Sequence, residues 1–466
     1  MISKSATRWV LALTAIGSLM AAIDTLVVST ALSTIRLDLG ASIEQLEWTV
    51  NAYNLSFAVL LITGAALGDR FGRRNFYAIG LGLFAAASAA GALAPDVGWL
   101  IAARAVQGAG AALIMPLGLA LLSAAFPPER RGAAIGIFSA VTGLSVASGP
   151  FIGCAVVEGL AWEWIFWLNV PLGIVAVPLV LSRLREGFGP DTALDIPGLA
   201  LVSGGALGLV WGLVRGNGAG WGSAEVLGSL AAGAALVVAF LAWERRARAP
   251  MLPLSFFGSR AFSAGNAAIF CTFASLFVGV FFFAQLLQIG LGYGPLDAGL
   301  RLIPWTATFL TVAPIAGTLS DRFGERPFMA GGLVLQTAGL TWIALIADGG
   351  GVTYGALVVP MVVAGVGVSM AIPAAQNSVM GSVAESAVGK AAGVNSTMRE
   401  LGGVFGIAVA VAVFAGAGSY ASPAAFTDGF AAAVGAGAAL ALVGALFALA
   451  LPGKRAVLAE PQPAAS

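Results

Sequence analysis

The chain has 466 residues, of which 59% are hydrophobic and only 10% charged, and its mean hydropathy is +0.94. Soluble domains carry about 25% charged residues, so a water-soluble globular protein is excluded. Apolar runs of roughly 20 residues recur from end to end, and each is long enough to cross ~30 Å of hydrocarbon as a helix. Because lipid offers the backbone no hydrogen-bond partners, these runs predict an all-α polytopic membrane protein.

Net charge and cysteine usage exclude several other classes of protein. The formal net charge is +1 and no basic segment is dense enough to indicate a nucleic-acid partner, so the bilayer is the expected partner. Cys154 and Cys271 both lie in apolar runs and form no Cys/His cluster, so neither a disulfide framework nor a metal site is expected. No nucleophile constellation or phosphate-binding loop appears, and we expect neither enzyme activity nor a cofactor.

In chain order, apolar runs and turn signals predict fourteen spans. They lie near 8–32, 44–68, 76–94, 98–124, 132–158, 163–184, 196–215, 222–244, 262–288, 298–318, 328–347, 353–379, 389–416 and 425–451. The first run is too long for a signal peptide, so we expect an uncleaved first helix. Most of the 23 lysines and arginines fall in loops on one side, which predicts that both termini are cytoplasmic.

An internal repeat divides the chain. Ala65–Leu83 and Gly317–Leu335 match at 11 of 19 positions, and both are predicted loops on the cytoplasmic side. The copies follow the second and the tenth span, so two helices, about 196–244, are inserted between two parallel six-helix repeats. The predicted units are 1–190 for the first bundle, 191–250 for the inserted pair with its linkers, 251–455 for the second bundle and 456–466 for a short cytoplasmic tail.

Four local patterns resemble the major facilitator superfamily, and specifically its fourteen-span drug:proton antiporter family. They are the loop Gly68-Asp69-Arg70-Phe71-Gly72-Arg73-Arg74, the segment Arg104–Gly110, the run Gly143, Gly149-Pro150 and Gly153, and the segment Asp24–Leu32. Ala65 stands where the family usually has glycine. The resemblance implies the major facilitator fold in a plasma membrane, and a proton-coupled antiporter that exports amphipathic or cationic small molecules by alternating access.

Several residues in the loops and in the fifth span are expected to control conformation. A carboxylate and arginines at a helix corner can pair across loops, so we interpret Asp69 as a latch. Plain membrane anchoring by the arginines is the alternative. Gly149-Pro150 interrupts the backbone hydrogen bonds of its helix, and at this place the family pattern separates exporters from symporters. The conformational set is Asp69, Arg70, Gly72, Arg73, Gly149, Pro150, Asp321 and Arg322.

The leading candidate for proton coupling is Asp24. Helix rise places it ~24 Å from the cytoplasmic start of the first span, and Arg104 lies ~9 Å below the outer boundary, so the two are expected at similar depths. The chain has no histidine, which leaves proton coupling to carboxylates. We hypothesise that Asp24 and Arg104 form a buried pair whose carboxylate takes up a proton from outside. Snorkelling of Arg104 to the membrane surface is the alternative.

Glu400 is the second candidate for proton coupling. It lies near the middle of the thirteenth span beside Arg399, and the two side chains start about 100° apart on an ideal helix. Charges at this depth are costly unless they are functional or paired. A proton or substrate role and an interhelical salt bridge both remain open.

The remaining polar and aromatic residues in the spans suit a cavity for bulky amphipathic solutes, including lipophilic cations. The candidate substrate contacts are Trp48, Asn51, Tyr53, Asn54, Gln107, Gln285, Gln288, Gln376 and Asn377, and Asn169 and Asn395 share their character. We expect a monomer whose partners are a small-molecule substrate, protons and lipid. A dedicated metabolite exporter and a proton-coupled symporter of the same fold are the alternatives.

Overall fold

A computed structural model describes residues 4–126, 134, 138, 141, 145, 148, 149, 151–189, 195–247, 254–348, 352–383 and 388–453. Within these ranges the secondary structure is helical. The first part of the chain forms α1 (Lys4–Leu39), α2 (Ile43–Phe71), α3 (Arg73–Ala92), α4 (Val97–Ala125), the single turn α5 (Trp164–Trp167) and α6 (Asn169–Arg183). Residues 151–159 are also helical.

The rest of the described chain forms nine further α-helices. They are α7 (Ile196–Ala219), α8 (Ala224–Glu244), α9 (Arg260–Gln285), α10 (Pro295–Arg301), α11 (Ile303–Phe323), α12 (Glu325–Asp348), α13 (Tyr354–Met380), α14 (Val388–Ala417) and α15 (Pro423–Leu449). A short 3₁₀ helix, Leu254–Gly258, precedes α9, and a π-helical turn, Leu286–Gly290, extends it.

Twelve helical segments in the described ranges are long and apolar enough to cross a bilayer, and α2, which bends midway, makes thirteen. This confirms an all-helical, multi-span protein. Thirteen of the 27 residues of the predicted fifth span, 132–158, lie outside the described residues, and Pro150 is among them. Gly149 is described and buried in a helical position. The count of fourteen therefore stays a prediction.

The helices α7 and α8, predicted as an inserted pair, pack against each other. In addition, α7 contacts both α2 and α14, which lie on opposite sides of the insertion in sequence. A buried hydrophobic cluster at this junction includes Leu55, Val210 and Val404. Arg215 also joins α7 to α2 through Glu44, at 2.9 Å. The inserted helices thus lie against the seam between the N-terminal and C-terminal helices.

Several contacts join the N-terminal and C-terminal helices at the end of the bundle where α1 ends and α2 begins, which we name the Arg36 end. The Gln288 side chain accepts a hydrogen bond from Ser33 and donates one to the Thr30 carbonyl, at 3.1 Å. The Arg36 guanidinium lies 4.3 Å from the centre of the Tyr420 ring. Hydrogen bonds and a cation–π contact therefore join the N-terminal helices to the C-terminal part of the chain at this end.

The two copies of the sequence repeat have the same local structure. Gly72 follows the last residue of α2, and Gly324 follows the last residue of α11. Their φ angles are 116° and 92°, which residues with a Cβ rarely adopt. The arginine two residues earlier lies over the neighbouring phenylalanine ring in both copies, at 5.3 Å for Arg70 and 5.4 Å for Arg322. The Asp321 side chain lies outside the described part. The repeat therefore extends from sequence to backbone geometry.

In the first copy, the loop is held by the segment that follows α6. Asp69 accepts a hydrogen bond from Arg73 at 2.6 Å, and its backbone carbonyl accepts one from the Gly189 amide at 2.8 Å. The Arg73 amide in turn donates to the Gly187 carbonyl at 2.8 Å. Glu186 accepts a hydrogen bond from the Arg74 amide at 2.8 Å. The motif thus pairs within itself and across to a second loop of the N-terminal helices.

The helices approach closely where glycine removes the side chain. A Cβ on Gly406 of α14 would lie 2.0 Å from the Ala274 carbonyl oxygen of α9, whereas real Cβ contacts stay above 3.0 Å. Membrane helices gain little from a hydrophobic effect between them, so close van der Waals packing has to hold them. The α9–α14 contact therefore depends on the absence of a side chain at Gly406.

We expect Gly406→Ala to destabilise the protein by about 1–3 kcal/mol, because α9 and α14 must separate to admit the methyl group. The midpoint of thermal unfolding in detergent measures this. Gly435→Ala is the matched control, since a Cβ there meets no atom within 4 Å. Alanine is the better helix former, so the control should be neutral or slightly stabilising. Equal midpoints for the two variants would contradict the close-packing argument.

Candidate functional site

Asp24 and Arg104 form an ion pair inside the N-terminal helices. Asp24 lies on α1 and Arg104 on α4, and the guanidinium Nη1 donates to the carboxylate Oδ2. Asp24 is 2% exposed and Arg104 is 1% exposed. The snorkelling alternative therefore does not describe Arg104 in this structure, since its charged group meets a carboxylate and not the surface. A role of the pair in proton coupling stays a prediction.

The other oxygen of the Asp24 carboxylate accepts two amide hydrogen bonds. Gln107 Nε2 donates to Oδ1 at 2.6 Å, and Asn169 Nδ2, from α6, donates to the same oxygen at 3.2 Å. Gln107 also donates to the Ser88 hydroxyl on α3 at 2.8 Å, and its own oxygen accepts from Arg104 at 2.7 Å. The carboxylate is thus bound by donors from two helices besides its own.

The Arg104 guanidinium has further partners on α2. Its Nε donates to the Thr49 carbonyl at 3.1 Å, and its Cζ lies 4.4 Å from the centre of the Tyr53 ring. The Tyr53 hydroxyl donates to the Ala21 carbonyl of α1 at 3.1 Å, which fixes the ring. Phe166 of α5 lies on another side of the guanidinium, at 5.9 Å. Cation–π contacts of this kind gain strength where water is excluded.

This arrangement can bind and release a proton at the expense of an ion pair. Buried pairs are stable only when the remaining polar atoms are hydrogen-bonded, and Gln107 and Asn169 satisfy the carboxylate here. Protonating Asp24 removes the negative charge that Arg104 faces and turns one acceptor oxygen into a donor. Protonation would therefore alter the hydrogen bonds that Asp24 accepts from α4 and α6.

Glu400 is also buried and paired, but within its own helix. Its carboxylate Oε1 accepts from Arg399 Nε at 2.9 Å, and Glu400 is 6% exposed. The two side chains leave the helix about 100° apart, as expected. Their charged groups still meet because the arginine side chain is long enough to fold back. The Arg399 guanidinium also lies 5.5 Å from the Phe273 ring of α9. Among the described residues this ion pair is intrahelical rather than interhelical.

The structure separates the candidate substrate contacts into different environments. Tyr53 and Gln107 belong to the Asp24–Arg104 site and are fully buried. Trp48 packs against Trp211 of the inserted helix α7, with ring centres 5.5 Å apart. Asn51 and Asn54 are fully buried on α2. These residues do not converge on one cavity, and their role as substrate contacts stays a prediction.

The candidates of the C-terminal helices are also dispersed. Gln285 donates to the Phe281 carbonyl of its own helix at 2.6 Å and accepts from the Tyr420 hydroxyl. Gln288 joins α1 at the Arg36 end. Asn377 donates to the Ser320 hydroxyl at 3.5 Å, and Gln376 is half-buried beside it on α13. Two of these residues therefore hold the Arg36 end together, and two lie on α13.

Sequence reasoning missed several residues that complete the Asp24–Arg104 site. Ser88 binds Gln107, the Thr49 carbonyl binds Arg104, and Phe166 lies beside the guanidinium. Ser88 had a signal, since it is the single hydroxyl residue in the run 81–92 of α3. A backbone carbonyl leaves no signal in the sequence, because every residue carries one.

Replacing Asp24 by asparagine should destabilise the protein by about 3–5 kcal/mol, because the Arg104 charge stays buried without its counter-ion. Arg104→Gln should have a similar effect. The double variant should cost clearly less than the sum, since it leaves no uncompensated charge. Chemical unfolding in detergent micelles measures this cycle.

The exposed pair Asp297–Arg301, at 2.8 Å, provides the reference cycle. Coupling in such a surface pair amounts to about 0–1 kcal/mol. Additive effects in the Asp24–Arg104 cycle, equal to those of the reference, would show that the buried pair contributes no stability of its own.

Comparison with known proteins identifies the family. A model of the Major Facilitator Superfamily matches residues 14–407, with a further match over 267–465. The tetracenomycin C resistance and export protein of Streptomyces glaucescens is 35% identical over 399 residues, which are 85% of this chain and 73% of that protein. The cephamycin export protein CmcT of Amycolatopsis lactamdurans is 35% identical over 428 residues, 91% of this chain and 87% of that protein.

A third relative, the multidrug resistance protein Stp of Mycobacterium tuberculosis (strain ATCC 25618 / H37Rv), is 32% identical over 86% of this chain and 75% of its own length. Solved structures agree on the fold. The peptide transporter POT in complex with sulfate aligns over 95% of this chain and 94% of its own, with 18% identity and a TM-score of 0.69. A D-xylose-proton symporter aligns over 94% and 96%, with 17% identity and a TM-score of 0.67. The chain belongs to the Major Facilitator Superfamily and is a multi-pass membrane transporter of small molecules, not an enzyme.

Proposed function

We propose that this transporter is a proton-coupled exporter of amphipathic or cationic small molecules and belongs to the fourteen-span drug:proton antiporter family. The observation that carries the proposal is the buried Asp24–Arg104 pair, a titratable acid bound to a permanent cation at the centre of the N-terminal helices. The names of the relatives support the direction of transport, since they describe resistance and export proteins.

Proton coupling in this proposal works through the ion pair. A proton taken up by Asp24 neutralises the carboxylate, and Arg104 loses its counter-ion. The guanidinium then keeps only neutral partners, the Thr49 carbonyl, Gln107 and the ring of Tyr53 among them. Because an unpaired charge is costly at this depth, the protonated state favours a different packing of α1 against α4 and α6. Release of the proton restores the pair and the first packing.

We propose the membrane topology that the positive-inside rule predicts, with both termini in the cytoplasm and the Arg36 end facing outside. The fourteenth span is the predicted fifth one, added to the thirteen that the described ranges contain. The units 1–190 and 251–455 move against each other, and the inserted pair within 191–250 lies at their seam. In this orientation the Arg36 end closes the outside, and the Asp69 loop lies on the cytoplasmic side.

Asp69, Gly72 and Arg73 act as the latch of the N-terminal unit in this proposal. Their loop is bound to the chain that follows α6, so it holds α2, α3 and α6 as one body. Arg70 matches Arg322 in the two repeats, and Asp69 matches Asp321. For the fifth span, the proposal keeps the sequence prediction that Gly149-Pro150 interrupts the backbone hydrogen bonds, and Pro150 lies outside the described residues. A rocking transporter needs both rigid units and defined points of bending.

Transport into proteoliposomes with an acidic lumen tests the coupling role of Asp24. The native chain should accumulate the fluorescent cation ethidium in exchange for protons. Asp24→Asn should reduce accumulation to the level reached without a pH gradient, because no proton binds, while ethidium counterflow at equal pH persists. Native accumulation by Asp24→Asn would show that Asp24 does not couple.

Two comparisons make this experiment specific. Asp348→Asn removes an exposed carboxylate at the end of α12 and should accumulate ethidium like the native chain. Glu400→Gln tests the second buried acid, and loss of coupling in that variant alone would move the coupling role from Asp24 to Glu400. Ethidium that enters with protons, rather than against them, would identify a symporter.

Cross-linking tests whether the contacts at the Arg36 end must break during transport. Ser33→Cys and Gln288→Cys place thiols on two residues whose longer side chains now bond. In a background with Cys154→Ala and Cys271→Ala, a short bis-methanethiosulfonate should link the two thiols and abolish ethidium transport, and a reductant should restore it. Each single cysteine variant is the control. Full transport by the cross-linked protein would contradict an opening at this end.

A further inference from the structure

A cavity of about 590 Å³ opens at the Arg36 end, where the N-terminal helices, the inserted pair and the C-terminal helices meet. Its wall consists of the end of α1, the first turns of α2, the end of α7, the end of α14 and the chain that follows α14. Binding sites for organic ligands measure roughly 300–1,000 Å³, so this cavity has the size of one. Neither Asp24 nor Arg104 lines this cavity, and their site lies between α1 and α4.

Glu47 is the most buried charged residue in the wall of this cavity, at 1% exposure. Asn51 Nδ2 donates to its carboxylate at 3.3 Å. Within the described part of the chain, no cationic side chain forms an ion pair with Glu47. A carboxylate in an apolar surrounding is costly as an anion unless it is paired, so either a proton or a bound cation stabilises Glu47 at this position.

Glu47 begins a polar stripe on α2. Asn51 and Asn54 follow at spacings of four and seven residues, which place all three on one face of the helix. In the described part of the chain, Asn51 Oδ1 and both polar atoms of the Asn54 amide have no hydrogen-bond partner. Buried polar atoms are normally satisfied, so these open atoms show that the face of α2 that Glu47 begins has hydrogen-bonding capacity left for a ligand or water.

The other charged residues of the cavity already have partners. Glu44 pairs with Arg215 at 2.9 Å, and Arg215 also pairs with Glu225 at 3.0 Å. Arg36 is half-buried, and its guanidinium lies against the Tyr420 ring. Glu47 is therefore the carboxylate of this wall that has no cationic partner in the described part of the chain.

We propose that this cavity is a binding site for an organic monocation, such as a quaternary or protonated amine, with the Glu47 carboxylate as its counter-ion. The apolar wall, with Val411, Ala415 and Ala421, suits the hydrocarbon part of such a ligand. A divalent metal needs six or more oxygen ligands, or a cluster of His, Cys and acidic residues, and the described residues contain no such cluster. Binding at this site does not depend on the coupling role of Asp24.

In the exporter proposed above, the cavity is the last position that the cation occupies before it leaves, and that part of the inference rests on the proposed function. The cation would meet Glu47 at the Arg36 end, after the contacts made by Arg36 and Gln288 have opened. Equilibrium binding and transport are therefore measured separately.

Binding of two isosteres to the full chain in lipid nanodiscs tests the site. Phenyltrimethylammonium carries a positive charge, and tert-butylbenzene has the same shape without it. By titration calorimetry at equal pH, Glu47→Gln should weaken binding of the cation about tenfold or more, since a charge-assisted contact is lost. Binding of the neutral compound should be unchanged. Glu47→Asp, which keeps the charge, should retain more of the affinity for the cation than Glu47→Gln.

Asp348→Asn is the matched control, because it removes a carboxylate that is exposed and outside the cavity. Equal affinity of the native chain and Glu47→Gln for the cation would overturn the proposal, and so would an equal loss in Asp348→Asn. Should Glu47→Gln fail to fold, Ala415→Phe narrows the cavity with the charge in place and should weaken both compounds. Unchanged binding in Ala415→Phe would place the ligand elsewhere.

The binding experiment and the transport experiment can fail independently of each other. Loss of proton-driven ethidium accumulation in Asp24→Asn concerns coupling, and the calorimetric comparison involves no gradient. A chain that binds the cation through Glu47 but transports no ethidium would keep the site and reject the export proposal.

Discussion

The structure is organised around a guanidinium that cannot reach water. Arg104 is 1% exposed, and an arginine at the centre of a membrane helix costs at least about 2.5 kcal/mol before it finds partners. Its partners come from three elements: the Asp24 carboxylate on α1, the Thr49 carbonyl on α2 and Gln107 on its own helix. Asn169 then brings α6 to the same carboxylate. One charge thereby fixes the relative positions of four helices.

The same constraint distinguishes three of the buried carboxylates, those of Asp24, Glu400 and Glu47. Asp24 is satisfied by one cation and two amides, and Glu400 is paired with the adjacent Arg399. Glu47 has an amide at 3.3 Å and a cavity beside it. Two of the acids are therefore structurally complete in this state, whereas the third is not. A carboxylate with a cationic partner suits a switch, because its contacts can break. A carboxylate without a cationic partner suits a binding site, because a ligand can provide one.

Much of the fold could be predicted from the sequence because its causes are local. Length and hydropathy determine a membrane helix, and the repeat around Asp69 and Asp321 is visible as matching letters. The depth of Asp24 and Arg104 follows from helix rise alone, since both helices cross the same bilayer. These arguments need no knowledge of how helices pack laterally.

The rest depends on lateral packing, which the sequence does not contain. Trp48 was expected in a substrate cavity, but it packs against Trp211 of the inserted pair. Arg399 and Glu400 start about 100° apart on the helix and still bond, because a flexible side chain covers that angle. Glu47 had a signal in its spacing to Asn51 and Asn54. Spacing alone does not show whether a cation from a neighbouring helix pairs with that face.

The continuity of α1 connects the buried pair with the closed end of the bundle. Asp24 lies within the N-terminal helices, whereas Ser33 and Thr30, on the same helix, bind Gln288 of the C-terminal helices. The nine residues from Asp24 to Ser33 correspond to about 14 Å of helix. A helix without a break transmits rotation or translation over that distance. In the proposed coupling, a proton that releases Asp24 from Arg104 would act on the contact between the two halves through α1 itself.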